Sequence, residues 1–83
     1  MTGDIIVVSV ASPDGTENSV KCNYVSLPSV NGAVGVLANH APMLCALTKG
    51  FVLCRKSSGE EIRIEVSGGV AQVFTNTVTV LLS

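Results

Sequence analysis

The chain is 83 residues long, 47% hydrophobic and only 13% charged, with a net charge of −1. That length leaves room for one domain, near the lower limit for a core without staples, and the composition excludes a disordered tail or a charge-rich helical bundle. Its five Lys and Arg residues are scattered, which argues against nucleic acid, since phosphate binding needs clustered cations.

Asp4 to Val10 (DIIVVSV) is β-branched almost throughout, a composition that favours a strand. Ser12, Pro13, Asp14 and Gly15 supply a turn. From Ser19 to Leu27 the side chains alternate, with Val20, Cys22 and Tyr24 on one face, and Pro28 is expected to end that strand. Gly32 to Asn39 reads as a loop with brief strands. Leu44 to Leu47 and Phe51 to Lys56 are further strands, separated by Thr48, Lys49 and Gly50. Glu61 to Val66 (EIRIEV) has the clearest period of two, with its charges on a wet face, and Ser57 to Glu60 makes Phe51 to Val66 a hairpin. Gly68 and Gly69 mark a bulge or bend. Val70 to Phe74, a turn at Thr75 and Asn76, and Thr77 to Leu82 complete the chain. Seven or eight short strands without a helical period predict an all-β fold, a small two-sheet β-sandwich in a single domain spanning 1–83.

Met1 to Asp4 shows no secretory signal, and three cysteines, Cys22, Cys45 and Cys54, cannot all pair within one chain. A reducing, cytosol-facing compartment is the expectation. Between Lys21 and Lys49 lie 27 residues without Asp, Glu, Lys or Arg. Pro28, Pro42 and several polar residues interrupt that band, so it is not a membrane helix. Its two remaining causes are core and partner interface.

Catalysis would fall to His40, the single histidine, and the three thiols. The cysteines read as small core residues. His40 has no second ligand type nearby, so no metal or cofactor is expected. In Asn39–His40–Ala41–Pro42 the proline holds the chain extended and withholds an amide donor, which makes His40 a member of a structural corner whose imidazole bonds the backbone. A small cysteine enzyme is the remotest of the readings.

Three stretches, SLPSVNGAVGVLANHAPML (Ser26 to Leu44), VSGGVAQV (Val66 to Val73) and NTVTVLL (Asn76 to Leu82), resemble in order and separation the amino-terminal β-sandwich of the F-type ATP synthase epsilon subunit, called delta in mitochondria. The resemblance implies a non-catalytic central-stalk subunit that binds the gamma subunit and contacts the c-ring, coupling ion flow to ATP synthesis. It implies a gamma interface at His40, Ala41, Pro42, Met43 and Leu44, and a c-ring-facing loop at Val30, Asn31, Gly32 and Ala33 within the stretch Ser29 to Gly35. The location implied is peripheral, on the cytoplasmic face of the bacterial plasma membrane or the equivalent plastid or mitochondrial membrane. The family's carboxy-terminal helical hairpin, which in bacteria can restrain ATP hydrolysis, is expected to be absent, because the 83 residues stop shortly after VTVLL. Asn18 and Val20 stand where the family often has Phe-x-Gly, Ala33 where Glu is common, Lys49 where Pro is common, and Asn39 where Gly is usual. The missing Phe-x-Gly, the lost Glu and the short end leave an alternative, a stand-alone β-sandwich adaptor binding another protein partner; Asn39 is within what plastid members show.

Overall fold

The computed structural model describes residues 5–83; Asp4, the expected start of the first strand, lies outside them. Nine strands follow in order: β1 (Ile6–Ala11), β2 (Glu17–Cys22), β3 (Tyr24–Ser29), β4 (Gly32–Leu37), β5 (Met43–Leu47), β6 (Gly50–Arg55), β7 (Glu61–Val66), β8 (Gly69–Phe74) and β9 (Thr77–Leu82). The all-β expectation holds, with nine strands in place of seven or eight.

Pairing runs β2-β1-β9-β8-β5-β3-β6-β7, with β4 on the other flank of β3. Every pair is antiparallel except β1 with β9. β3 and β5 share only the register pair Ser29 and Leu47. The network therefore bends at that point into a five-strand half, β2-β1-β9-β8-β5, and a four-strand half, β4-β3-β6-β7. Alternate residues of both halves point inward: Val8, Val10, Val78 and Val80 from one, Val25, Leu27, Val36 and Val52 from the other, all buried. Their burial, at roughly 25 cal/mol per Å² of apolar surface, holds the curled sheet closed.

Three sequence expectations are corrected by this arrangement. Ser19 to Leu27 is two strands, because the chain breaks at Asn23 and the inward phase flips: Cys22 is buried, and so are Val25 and Leu27 after it, while Tyr24 points outward. Pro28 lies inside β3. β3 changes partners there, from β6, whose ladder ends at the pair Ser26 and Leu53, to β5. A residue without an amide donor suits the point where one ladder ends. Finally, Gly32 to Leu37 is a full strand, joined to β3 by a two-residue turn at Val30 and Asn31. Gly32 takes the left-handed φ of +113° that this turn requires.

The strands all run between two ends. One end carries the β4–β5 corner (residues 38–42), the β6–β7 turn and the β8–β9 turn; the other carries the β3–β4 turn, the β5–β6 link and the β7–β8 link.

Candidate functional site

The corner that holds His40 is tied down by backbone. Asn39 sits at φ +66°, a left-handed conformation that Asn tolerates better than most residues. The Asn39 amide donates to Asn76 Oδ1, and Asn76 Nδ2 donates back to Asn39 Oδ1 at 3.4 Å, locking the corner to the β8–β9 turn. The His40 amide donates to the Leu37 carbonyl at 3.2 Å, and Nδ1 lies 2.7 Å from the Ala41 carbonyl. A carbonyl only accepts, so Nδ1 carries the proton in that contact. The imidazole bonds its own corner, as the sequence implied.

The thiols are placed for packing. Cys22 and Cys54 are fully buried core neighbours, and Cys45 packs half-buried against the same core. Burial pushes all three thiols above their ordinary value; for Cys54 burial and then the adjoining Cys22 raise it to about 12. Thiols held in this way stay protonated and unreactive at neutral pH. Among the described residues no group of three or more His, Cys, Asp or Glu side chains is arranged to hold a metal ion.

What the structure offers instead is a sheet face. On the outer side of the five-strand half, three rows of side chains cross the strands. Lys21, Val7, Thr77 and Phe74 form the first; Ser19, Ser9, Thr79, Gln72 and Leu44 the second; Glu17, Ala11, Leu81, Val70 and Ala46 the third. Charge occurs only on the edge strand β2, at Glu17 and Lys21. The rest is apolar, amide or hydroxyl. Leu44 is 71% exposed and Phe74 59%. Pro42, Met43 and Leu44 on one side and Gln72, Val73 and Phe74 on the other line a shallow open groove of about 300 Å³. The outer side of the four-strand half is different in kind, because β7 presents Glu61, Arg63 and Glu65 there and Arg55 bonds Glu61 at 3.0 Å.

Of the expected gamma-interface residues, Leu44 lies on the uncharged face and Ala41 and Pro42 are exposed beside it, whereas Met43 turns inward against the core. Val30 and Asn31 form the β3–β4 turn and Gly32 and Ala33 open β4, at the opposite end of the strands. All four are exposed, Val30 to 59%. The two expected sites are therefore not brought together. Phe74, Gln72, Val70 and Leu81 were missed by sequence reasoning. The available signal was that β8 and β9 carry no charge in either phase of the period, unlike EIRIEV, whose outer phase is charged throughout.

Residues 6–83 match the family described as ATP synthase, delta/epsilon chain, β-sandwich domain. The chain belongs to that family. Similar members include the ATP synthase epsilon chain of a Synechococcus species, 40% identical over 95% of this chain, that of Synechococcus elongatus, 42% identical over 94%, and that of Lawsonia intracellularis, 39% identical over 89%. The chain spans 56%, 56% and 55% of those relatives' own lengths. Among solved structures, a chain of the Euglena gracilis mitochondrial ATP synthase (OSCP/F1/c-ring) matches 99% of this chain with a TM-score of 0.82 at 21% identity, covering 52% of the Euglena chain. A chain of the Tetrahymena thermophila mitochondrial ATP synthase central stalk and c-ring matches 99% with a TM-score of 0.73 at 14% identity, covering 66% of its own length. At those identities the likeness is one of fold.

Proposed function

We propose that this domain is a non-catalytic rotor-stalk component of an F-type ATP synthase, peripheral to the membrane through the complex. Its uncharged outer face, with the Pro42–Leu44 rim, grips the gamma subunit. The turn Val30–Ala33, between β3 and β4 at the opposite end of the fold, rests on the c-ring. The joint carries torque, so that ion flow and ATP synthesis stay coupled. The observation that carries this reading is the absence of charge across β1, β9, β8 and β5 on the outside of the molecule, where a free surface would carry Lys and Glu. Membership of a family whose named relatives are epsilon chains supports it.

Native mass spectrometry of the chain mixed with the gamma subunit of the same genome tests the gripping face. A one-to-one complex is expected. Leu44→Asp or Phe74→Asp should weaken it at least about tenfold, since each loses apolar burial and buries a charge. The melting temperature should move by no more than about 3 °C, since both side chains lie outside the core. Val30→Asp and Ala33→Asp should leave gamma binding intact and reduce coupled ATP synthesis. No complex between two folded proteins would refute the assignment.

A further inference from the structure

Among the described residues β4 pairs with β3 alone, so its other flank is an edge of the described sheet. Its backbone orientation follows from Pro28, whose carbonyl accepts the Thr48 amide at 2.8 Å on the β5 side. Pro28 and its register partner Ala33 therefore do not bond one another. Bonded and non-bonded pairs alternate along an antiparallel ladder, so Ala33, Gly35 and Leu37 all aim their N–H and C=O groups away from β3. The Leu37 carbonyl accepts the His40 amide on one lone pair and keeps the other. None of these outward groups has a strand of the described residues beside it.

Natural sheets blunt such edges with charge, proline or bulges. The edge strand β7 carries Glu61, Arg63 and Glu65, and β2 carries Glu17 and Lys21. β4 (GAVGVL) has no charge and no proline, and it is paired to β3 along its whole length. Its outward side chain Leu37 is 62% exposed.

We propose that β4 is a self-association edge, at which two copies of this chain pair antiparallel about a two-fold axis through Gly35. Directly opposed residues must share a face of the sheet. Of the registers that satisfy this, one alone uses all three outward-bonding residues of both copies: Gly35 against Gly35 of the second copy, and Ala33 against its Leu37. A second copy fits because its strand is itself uncharged, so no like charges meet across the axis. Gly35 adds no side chain at the axis, and a Cβ there would lie 2.8 Å from the Tyr24 hydroxyl and displace that ring. Two four-strand halves then form one eight-strand sheet. The contact is isologous and closes at two copies. A single strand pair buries less than a standard interface, so the dimer is a weak one. Because Ala33 also belongs to the turn assigned above to the c-ring, the dimer is a form of the unassembled chain; it does not depend on that assignment.

Sedimentation velocity of the 83-residue chain from roughly 10 μM to 1 mM, a range chosen to bracket a weak strand-pair contact, combined with amide hydrogen exchange, tests this. The expected result is a concentration-dependent dimer with exchange slowed at the Ala33, Gly35 and Leu37 amides. Ala33→Pro removes an outward donor and no internal ladder bond, and should weaken the dimer about tenfold or more. As a measurement independent of proline's effect on folding, a mixture of A33C and L37C chains should form a disulfide between unlike chains under mild oxidation, because opposed residues lie within bridging distance. A monomer throughout the range overturns the proposal. So does a dimer protected on the β8–β9 face, or one without the A33C–L37C bridge. A monomer that binds only an added uncharged peptide strand would assign the edge to another protein and overturn self-association.

Discussion

Cys54 is wholly shielded from solvent and its thiol is raised to about 12, by burial first and by the neighbouring Cys22 second. An acid with a raised folded pKa keeps its proton in the folded chain after the unfolded chain has lost it. Stability is therefore intact below the ordinary thiol value of 9.0 and falls as pH rises from there toward 12. The slope reaches at most about 1.4 kcal/mol per pH unit. Urea unfolding at pH 8 and at pH 10.5 should show the wild-type chain losing about 2 kcal/mol more than Cys54→Ala; equal losses would show that the thiol is not held in this way. The burial of these cysteines was readable from residue type. That Cys22 and Cys54 adjoin was not, because they come from strands on different halves of the sheet, and no spacing in the sequence encodes which strands curl over one another.

At the scale of elements, alternation located most strands, and EIRIEV was read to the residue. It failed where a strand changes face or partner. The break at Asn23 reverses the phase between β2 and β3, and the side chain of Asn23 accepts the Ser57 amide at 2.7 Å, a contact 34 residues away in sequence that no local pattern announces. Pro28 misled because proline ordinarily stops a strand; here it stands where β3 exchanges one neighbour for another. Gly50 belongs to the same junction. A Cβ at Gly50 would lie 3.1 Å from the Pro28 Cβ, so Gly50→Ala forces the β5–β6 link away from β3. A loss of about 1–2 kcal/mol is expected from that overpacking, measured by thermal or urea unfolding. A neutral substitution would show that the junction has slack.

For the whole molecule, the family was legible because its motifs fall at turns and corners, where particular residues are required: Gly32, Asn39 and Gly69 all hold positive φ. The extent of the uncharged face was not legible. Its rows join residues from five strands, and only the order β2-β1-β9-β8-β5 sets them side by side. Leu44 came from the family resemblance; Phe74 and Leu81, which lie outside the charge-free band and the resemblance's interface stretch, were not found. The electrostatics of this face give a prediction for the proposed joint with gamma. With charge confined to Glu17 and Lys21 at its rim, binding to gamma should change by less than about threefold between roughly 50 and 500 mM salt, because screening acts on charge pairs and the centre of the face has none. A dependence of an order of magnitude, measured by titration calorimetry, would place the contact on the charged side at β7.

The parallel pairing of β1 with β9 bears on how the protein is made. β1 leaves the ribosome first, yet the strand that fills the gap between it and β8 is completed only with Leu82. Until then the nascent chain has the flanks of β1 and β8 unpaired, and Val8, Val10, Ala71 and Val73 lack the inward side chains of β9 that cover them. Hairpins such as β6–β7 form from local sequence during synthesis. Closure of the core waits until β9 has been made, so folding is governed by contacts distant in sequence, and an interval with exposed strand flanks is part of the life of each newly made copy.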